Sequence, residues 1–503
     1  MERYRSLPFP IHIRLPAGLW RIVLALGTGM LVALSVIVAT YYFEKWKLAV
    51  GLVGGVAFVL VTMWRPEYGV LALVGLTNGL VSTNWLPLLP VGPFSLHLQD
   101  IILGLLLLLW GLRVTTWPGY ARRRTPLSLP LALFLGAIVI SAANGIVLHQ
   151  LSANTVLRRG RCLILWIAFF PVLDLVRDRA SLTRLLIGLW VLSMVLALGV
   201  VFRLIYPSFM PFLLPVDVES LRTMGTEITG VSRVFQYRGG TVLYAMIPVT
   251  LAMLAFREGL QFWQKTALIG LLILFLNWLL FSFQRSLWLT TMLNGGLLLL
   301  LIPGRPRWQL VQALLPLVLL VLLCGILYWH LAPHSAERLV YGLVNRFSSL
   351  GTDVTHRDDS VTWRIVETKY GMASFLRHPL FGIGIGNEYR PPFEREIWWN
   401  EFGLRWFIHN SYLWLAVMMG LVGLVPFLAL CFVYVARGLA FWRTIADASL
   451  RAVYLGLTLG FLGQMISNIA QPTFLDGPPQ HIYPVMMALN EVILHITRQE
   501  RAG

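Results

Sequence analysis

The sequence predicts an all-α fold: a polytopic membrane helix bundle of about 14 transmembrane helices (12–14), with a large outward loop that carries an amphipathic helix. Composition is the first reason. Of 503 residues, 57% are hydrophobic and only 13% charged, and the mean hydropathy is +0.73. A water-soluble domain carries roughly 25% charged residues. So little polar side chain cannot cover a water-facing exterior, and the solvent must be largely lipid. The second reason is the recurrence of apolar runs of about 17–25 residues, the length that crosses a hydrocarbon core. The third is the presence of nineteen tryptophans, because indoles favour the membrane–water interface.

The candidate spans run roughly 19–43, 48–63, 68–82, 98–114, 127–147, 160–176, 184–206, 241–256, 266–283, 286–302, 309–331, 410–436, 452–471 and 481–496. The third is short and interrupted by Asn78 and Gly79, as a broken or re-entrant helix would be. In the first, the apolar stretch from about Ile22 to Phe43 follows Arg3, Arg5, Arg14 and Arg21. That stretch exceeds the about 7–15 residues of a signal-peptide core, so it reads as a retained span. With the N-terminus inside, the cytoplasmic loops hold Arg122 to Arg124, Arg177, Arg179, Arg184, Arg257, Lys265, Arg305, Arg307, Arg437, Arg443, Arg498 and Arg501. That is a positive-inside pattern, and an even number of spans returns the C-terminus to the cytoplasm. It also accounts for the net charge of +17 without nucleic acid as a partner. Cys162, Cys324 and Cys431 lie in apolar runs and read as small core residues, with no disulfide and no metal site.

The chain thus reads as a single integral membrane domain over 1–503, with a first outward loop at 206–240, a large outward loop at 331–409 and C-terminal spans at 410–496. Loops of this length are usually functional. In the second, Trp363, Val366, Tyr370 and Ala373 recur at helical spacing, with Arg364, Glu367 and Arg377 off the stripe. This predicts an amphipathic helix lying on the membrane or over the spans.

The outward loops defy the usual charge bias. Arg222, Arg233 and Arg238 fall in the first. Arg338, Arg346, Arg357, Arg364, Arg377, Arg390, Arg395 and Arg405 fall in the second. Arg285 stands at the mouth of a span, and Arg158, Arg159 and Arg161 begin another on the same side. Positive charge held outside calls for an anionic partner, and guanidinium suits carboxylate or phosphate. Many of these arginines have loop acids to pair with (Asp358, Asp359, Glu394, Glu396) or can snorkel to headgroups. Arg233, Arg238 and Arg285 stand out because their segments lead directly into or out of spans. His409 opens a span on the same side. A lone interfacial histidine is more often structural than catalytic, yet imidazole is the natural general base near neutral pH.

Absences narrow the chemistry. There is no His/Asp/Glu set at metal-ligand spacing and no Asp-x-Asp in an outward loop. The run Gly382-Ile383-Gly384-Ile385-Gly386 lacks the order and context of a dinucleotide loop, and reads as a turn after Pro379. A transporter or flippase for an anionic polysaccharide or lipid is the alternative. It should show repeated halves and charges near the bilayer midplane, and neither stands out.

Several segments together resemble the O-antigen ligase and O-antigen polymerase superfamily of bacterial polysaccharide membrane glycosyltransferases. His409-Asn410-Ser411-Tyr412-Leu413 followed by Gly420-Leu421-Val422-Gly423 resembles its His-Asn-x-x-Leu…Gly-x-x-Gly element. Thr362-Trp363-Arg364 and His378-Pro379-Leu380-Phe381-Gly382-Ile383-Gly384 resemble its Arg/Trp helix and Pro-x-x-Gly-x-Gly turn. Phe283-Gln284-Arg285-Ser286 resembles its Ser-Arg span start, with Gln284 in place of Ser. Arg233 to Ala245 resembles an Arg-containing lead into an earlier span, without the common Asn-Pro or Pro-Asn.

The resemblance covers about 220–436 and implies a metal-independent, inverting transfer that needs no cofactor. The implied donor is an undecaprenyl-diphosphate-linked glycan, and the acceptor is lipid A–core (ligase) or another lipid-linked glycan (polymerase). Membrane lipids are the remaining partners, and the setting is a bacterial inner (plasma) membrane. Arg233 and Arg285 would hold the donor diphosphate and His409 would act on the acceptor hydroxyl. Arg222, Arg238, Trp363, Arg364 and Asn410 are the expected substrate-binding neighbours.

Overall fold

The computed structural model describes residues 46–82, 89–92, 94–117, 120, 122–206, 217–223, 226–235, 239–257, 259–348, 359–392, 404–475 and 482–502. The chain divides into two compact units after Gly69. In the first, α1 (Trp46–Trp64) is an apolar helix, and Pro66 starts α2 (Pro66–Thr77), a first-turn position where its missing N–H is not needed.

Within the second unit, α2 stops where the sequence is interrupted. The Asn78 side-chain amide donates to the Val74 carbonyl at 2.8 Å, and Gly79 turns to φ +77°. A short hairpin, β1 (Leu89–Val91) and β2 (Phe94–Leu96), leads to α3 (Leu98–Thr116), α4 (Ser128–Val147), α5 (Ala153–Ile164), α6 (Phe169–Leu175) and α7 (Arg179–Ile205). Then follow a second hairpin, β3 (Asp217–Thr223) and β4 (Thr226–Phe235), and the helices α8 (Gly240–Phe256), α9 (Phe262–Phe281), α10 (Arg285–Leu301), α11 (Gly304–Leu331) and α12 (Pro333–Ser348). The chain ends with α13 (Asp359–Arg377), α14 (Ser411–Phe441), α15 (Ala448–Ser467) and α16 (Tyr483–Ala502).

Among the described residues, seven helices are long and apolar enough to cross a membrane: α3, α4, α7, α9, α11, α14 and α15. The shorter apolar helices include α8 and α10. The protein is a multi-pass, all-α membrane bundle. The candidate span 19–43 lies outside the described residues. Three expectations need correction. The segment 160–176 is not one helix: α5 passes into a 3-10 turn at Leu165–Ala168 before α6. Pro171 lacks an N–H and crowds the carbonyl four residues back, which breaks the α-helical ladder there. Half of the expected loop 206–240 is the antiparallel pair β3–β4, bulged at Ser220/Leu221 and rich in the β-branched residues that suit strands. Cys324 is exposed on α11 rather than buried in the core, unlike Cys162 and Cys431.

The core is built around α8, buried on nearly every side, against α15. Gly456 and Gly460 present no side chain to Val249 and Ala245, so the two backbones approach as small-xxx-small helices do in lipid. By contrast α11 buries only Leu310 and Leu317 and shows an apolar surface to lipid, with Leu319, Leu322 and Ile326 exposed. An aromatic cluster of Trp166, Phe427, Phe474 and Tyr483 ties α14 and α16 to the connection between α15 and α16; Phe474 and Tyr483 stack edge-on at 4.8 Å.

Candidate functional site

The site grows from a break in a helix. α14 leaves helical geometry at Gly420, with φ +64° and ψ −162°. The carbonyls of Val417 and Met418 therefore lose their helical partners. The glycine run supplies new ones: Ile383 N–H donates to Val417 O at 2.9 Å and Gly384 N–H to Met418 O at 3.0 Å. Leu421 and Val422 donate back to the carbonyls of Pro379 and Leu380. Gly382, Gly384 and Gly386 all take positive φ, and a side chain at Gly382 or Gly384 would strike the backbone of α14 or α4. Ser141 on α4 closes the knot, donating to Met418 O at 2.7 Å and accepting from Ile385 N–H at 3.1 Å. The two glycine motifs of the sequence are thus two halves of one joint, which anchors α13 to the N-terminal half of α14.

His409 immediately precedes that half. Its Nδ1 lies 2.8 and 3.0 Å from the carboxylate oxygens of Glu367 on α13, and its backbone N–H donates to the same carboxylate at 2.9 Å. Glu367 was expected off the buried stripe, yet it is buried; Ala373, expected on the stripe, is exposed. The reason is local: three polar contacts from His409 compensate the buried carboxylate, and Gly371 brings α13 down onto Ile408 and Leu413. Trp363 and Arg364, one turn before Glu367 on the same face, are half-buried, and Arg390 lies 4.7 Å over the Trp363 ring. Asn410 caps α14, its side-chain oxygen accepting from Tyr412 N–H at 3.0 Å and Leu413 N–H at 3.1 Å, so that oxygen serves the helix start.

Arg285 is the first residue of α10. The turn before it is strained: Phe283 is buried and takes φ +49°, uncommon for a bulky residue. Ser282 and the Trp288 indole both donate to the Leu279 carbonyl at 2.7 Å. Gln284, where the resemblance has Ser, accepts from the Gln471 amide at 3.2 Å. The Gln471 carbonyl in turn accepts from Ser411 at 3.3 Å, and Ser411 also donates to Asn468 at 2.6 Å. Through Gln471, the starts of α10 and α14 share one end of the bundle, bringing Arg285 and His409 into one region. The 468–475 connection was missed from sequence; only its polarity between two apolar runs could have signalled it.

Arg233 is half-buried on β4, opposite Glu219 in the register, and β4 packs against α9 and α12. Arg222 lies on β3 opposite Glu227, and Arg238 lies outside the described residues. Other arginines have structural partners. Arg161 pairs with Asp100 at 3.2 Å and Arg405 with Glu388 at 2.9 Å, while Arg159 lies 5.4 Å over Trp406. A cleft of about 320 Å³ opens beside α13, lined by Tyr370, Arg377, His378, Asn387, Glu388 and His149 among others.

Residues 270–428 match a protein family described as O-antigen ligase. The matched segment runs from within α9, through Arg285 and the α13 face, to the Gly420 break and Phe427. No curated protein matches the chain.

Proposed function

We propose, from the match of residues 270–428 to the O-antigen ligase family, that this chain transfers a glycan from undecaprenyl diphosphate to an acceptor sugar hydroxyl at the periplasmic face of the inner membrane. The acceptor is lipid A–core or a second lipid-linked glycan. His409 takes the proton of the acceptor hydroxyl as its oxygen attacks the anomeric carbon. The bond to the diphosphate breaks with its electrons, and the lipid diphosphate leaves as an anion. Arg285 and Arg233 stabilise that charge, so the leaving group needs no proton. One displacement inverts the anomeric centre.

The observation that carries this reading is the pairing of Arg285 with a helix N-terminus in the neighbourhood of His409. A cation at the first position of a helix opposes the helix dipole at a cost of about 0.3–1 kcal/mol. The Gln284 side chain does not cap α10. A guanidinium at a helix N-terminus favours an anion such as a diphosphate. The cleft at Tyr370, one turn of α13 beyond Glu367, offers hydroxyl, imidazole and amide groups suited to an acceptor sugar. The test is incubation of purified protein with undecaprenyl-diphosphate glycan and each acceptor. Single addition to lipid A–core identifies a ligase and a ladder a polymerase; no transfer to either by active, folded preparations would remove the proposal.

A further inference from the structure

We propose that Glu367 is a positioning residue for glycan transfer: it holds the His409 imidazole in the tautomer whose Nε2 receives the acceptor's proton, and it balances the imidazolium that results. This rests on the reading of His409 as general base. The two side chains differ sharply in exposure, 3% for Glu367 and 21% for His409. The carboxylate is therefore held inside while the ring reaches the site.

The hydrogen-bond inventory sets the tautomer. An ionised carboxylate only accepts, so a neutral imidazole 2.8 Å from it must carry its proton on Nδ1. The lone pair then sits on Nε2. The backbone N–H of His409 holds the same carboxylate at 2.9 Å, which stops Glu367 from following the ring if it rotates. The Phe407 ring stands edge-on to the imidazole at 5.0 Å and limits that rotation further. Burying a carboxylate is costly unless it is paired, and α13 already has apolar contacts with Ile408 and Leu413 beside Gly371. Packing alone gives no reason for an acid here. In the transfer step the acceptor O–H breaks, the O–C bond to the anomeric carbon forms, and the C–O bond to the diphosphate breaks. The proton stays on Nε2, and the positive charge it brings lies against Glu367.

The experiment uses the full chain in detergent or nanodiscs, with undecaprenyl-diphosphate glycan as donor and lipid A–core or lipid-linked glycan as acceptor. Glu367→Gln is expected to lower kcat about 100-fold while both KM values stay within ~3-fold, because ground-state contacts are retained. Glu367→Asp should recover part of the rate. Nitrogen-15 spectra of histidine-labelled wild type, with His409 assigned by its loss in His409→Ala, should show the Nδ1-protonated ring; this reading needs no variant at Glu367 to fold. Wild-type kcat in Glu367→Gln, a loss confined to KM, or an Nε2-protonated His409 would each overturn the role. An inactive His409→Ala beside a fully active Glu367→Gln removes only Glu367's role, whereas an active His409→Ala removes the base itself.

Discussion

Arg285 and His409 carry different parts of the proposed reaction, and substitutions should separate them. Arg285→Ala is expected to reduce transfer by at least about 100-fold, the scale of removing one charge-stabilising donor, with membrane insertion unchanged. Arg285→Lys should recover only part of it, since an ammonium does not reproduce the planar fork that grips phosphate. His409→Ala should abolish transfer in the same assay. Wild-type rates in both alanine variants, in preparations that elute as folded protein, would dismiss the mechanism. Gln284 departs from the resemblance, but its bond to Gln471 gives it a purpose: it ties the Arg285 turn to the strand of chain that holds Ser411. None of those partners adjoins another in sequence.

Among the elements, the joint between the glycine run and α14 is the most demanding. Gly420 occupies a backbone region that is essentially glycine-only, with a cost of about 1–3 kcal/mol for other residues, and an added methyl group there would meet the Leu380 carbonyl. Gly420→Ala should therefore lower the melting temperature in detergent. Gly295→Ala in α10 is the control, since nothing lies within 4 Å of the added carbon; it should leave the melting point unchanged or raise it. Equal melting points for the two variants would show that the joint does not constrain the fold.

Across the whole molecule, the end opposite His409 is latched by charge. Asp447 caps α15 through Ser449 and Leu450 N–H at 2.8 and 2.9 Å and pairs with Arg179, which also meets Glu500 at 2.9 Å. Partial burial pushes the Asp447 carboxyl up, but the amides and the Arg179 guanidinium outweigh it and hold it below 3.8. A carboxyl depressed on folding contributes stability that is present above its unfolded value and lost as pH falls through the folded one. Asp447→Asn should thus melt below wild type at pH 6, and the gap should close below about pH 4. A gap independent of pH would assign Asp447 a purely steric role. Orientation has its own test: a C-terminal fluorescent-protein fusion should glow and a C-terminal alkaline phosphatase fusion should be silent, and the reverse would invert the topology.

Apolar run lengths by themselves determined that the chain crosses a membrane repeatedly and roughly where most helices lie, because a lipid core imposes length and composition directly on contiguous residues. The broken third segment was legible for the same reason, as Asn78 and Gly79 interrupt a local pattern. The candidate arginines and His409 were legible as chemistry, through residue type and motif. Only the tertiary structure decided that Glu367 turns inward, that Asn410 serves a helix cap, that Gln471 bridges two helix starts, and that two distant glycine motifs form one joint. Those pairings join residues far apart in the chain, and hydrogen bonding across such separations leaves no periodic trace in either partner's own segment.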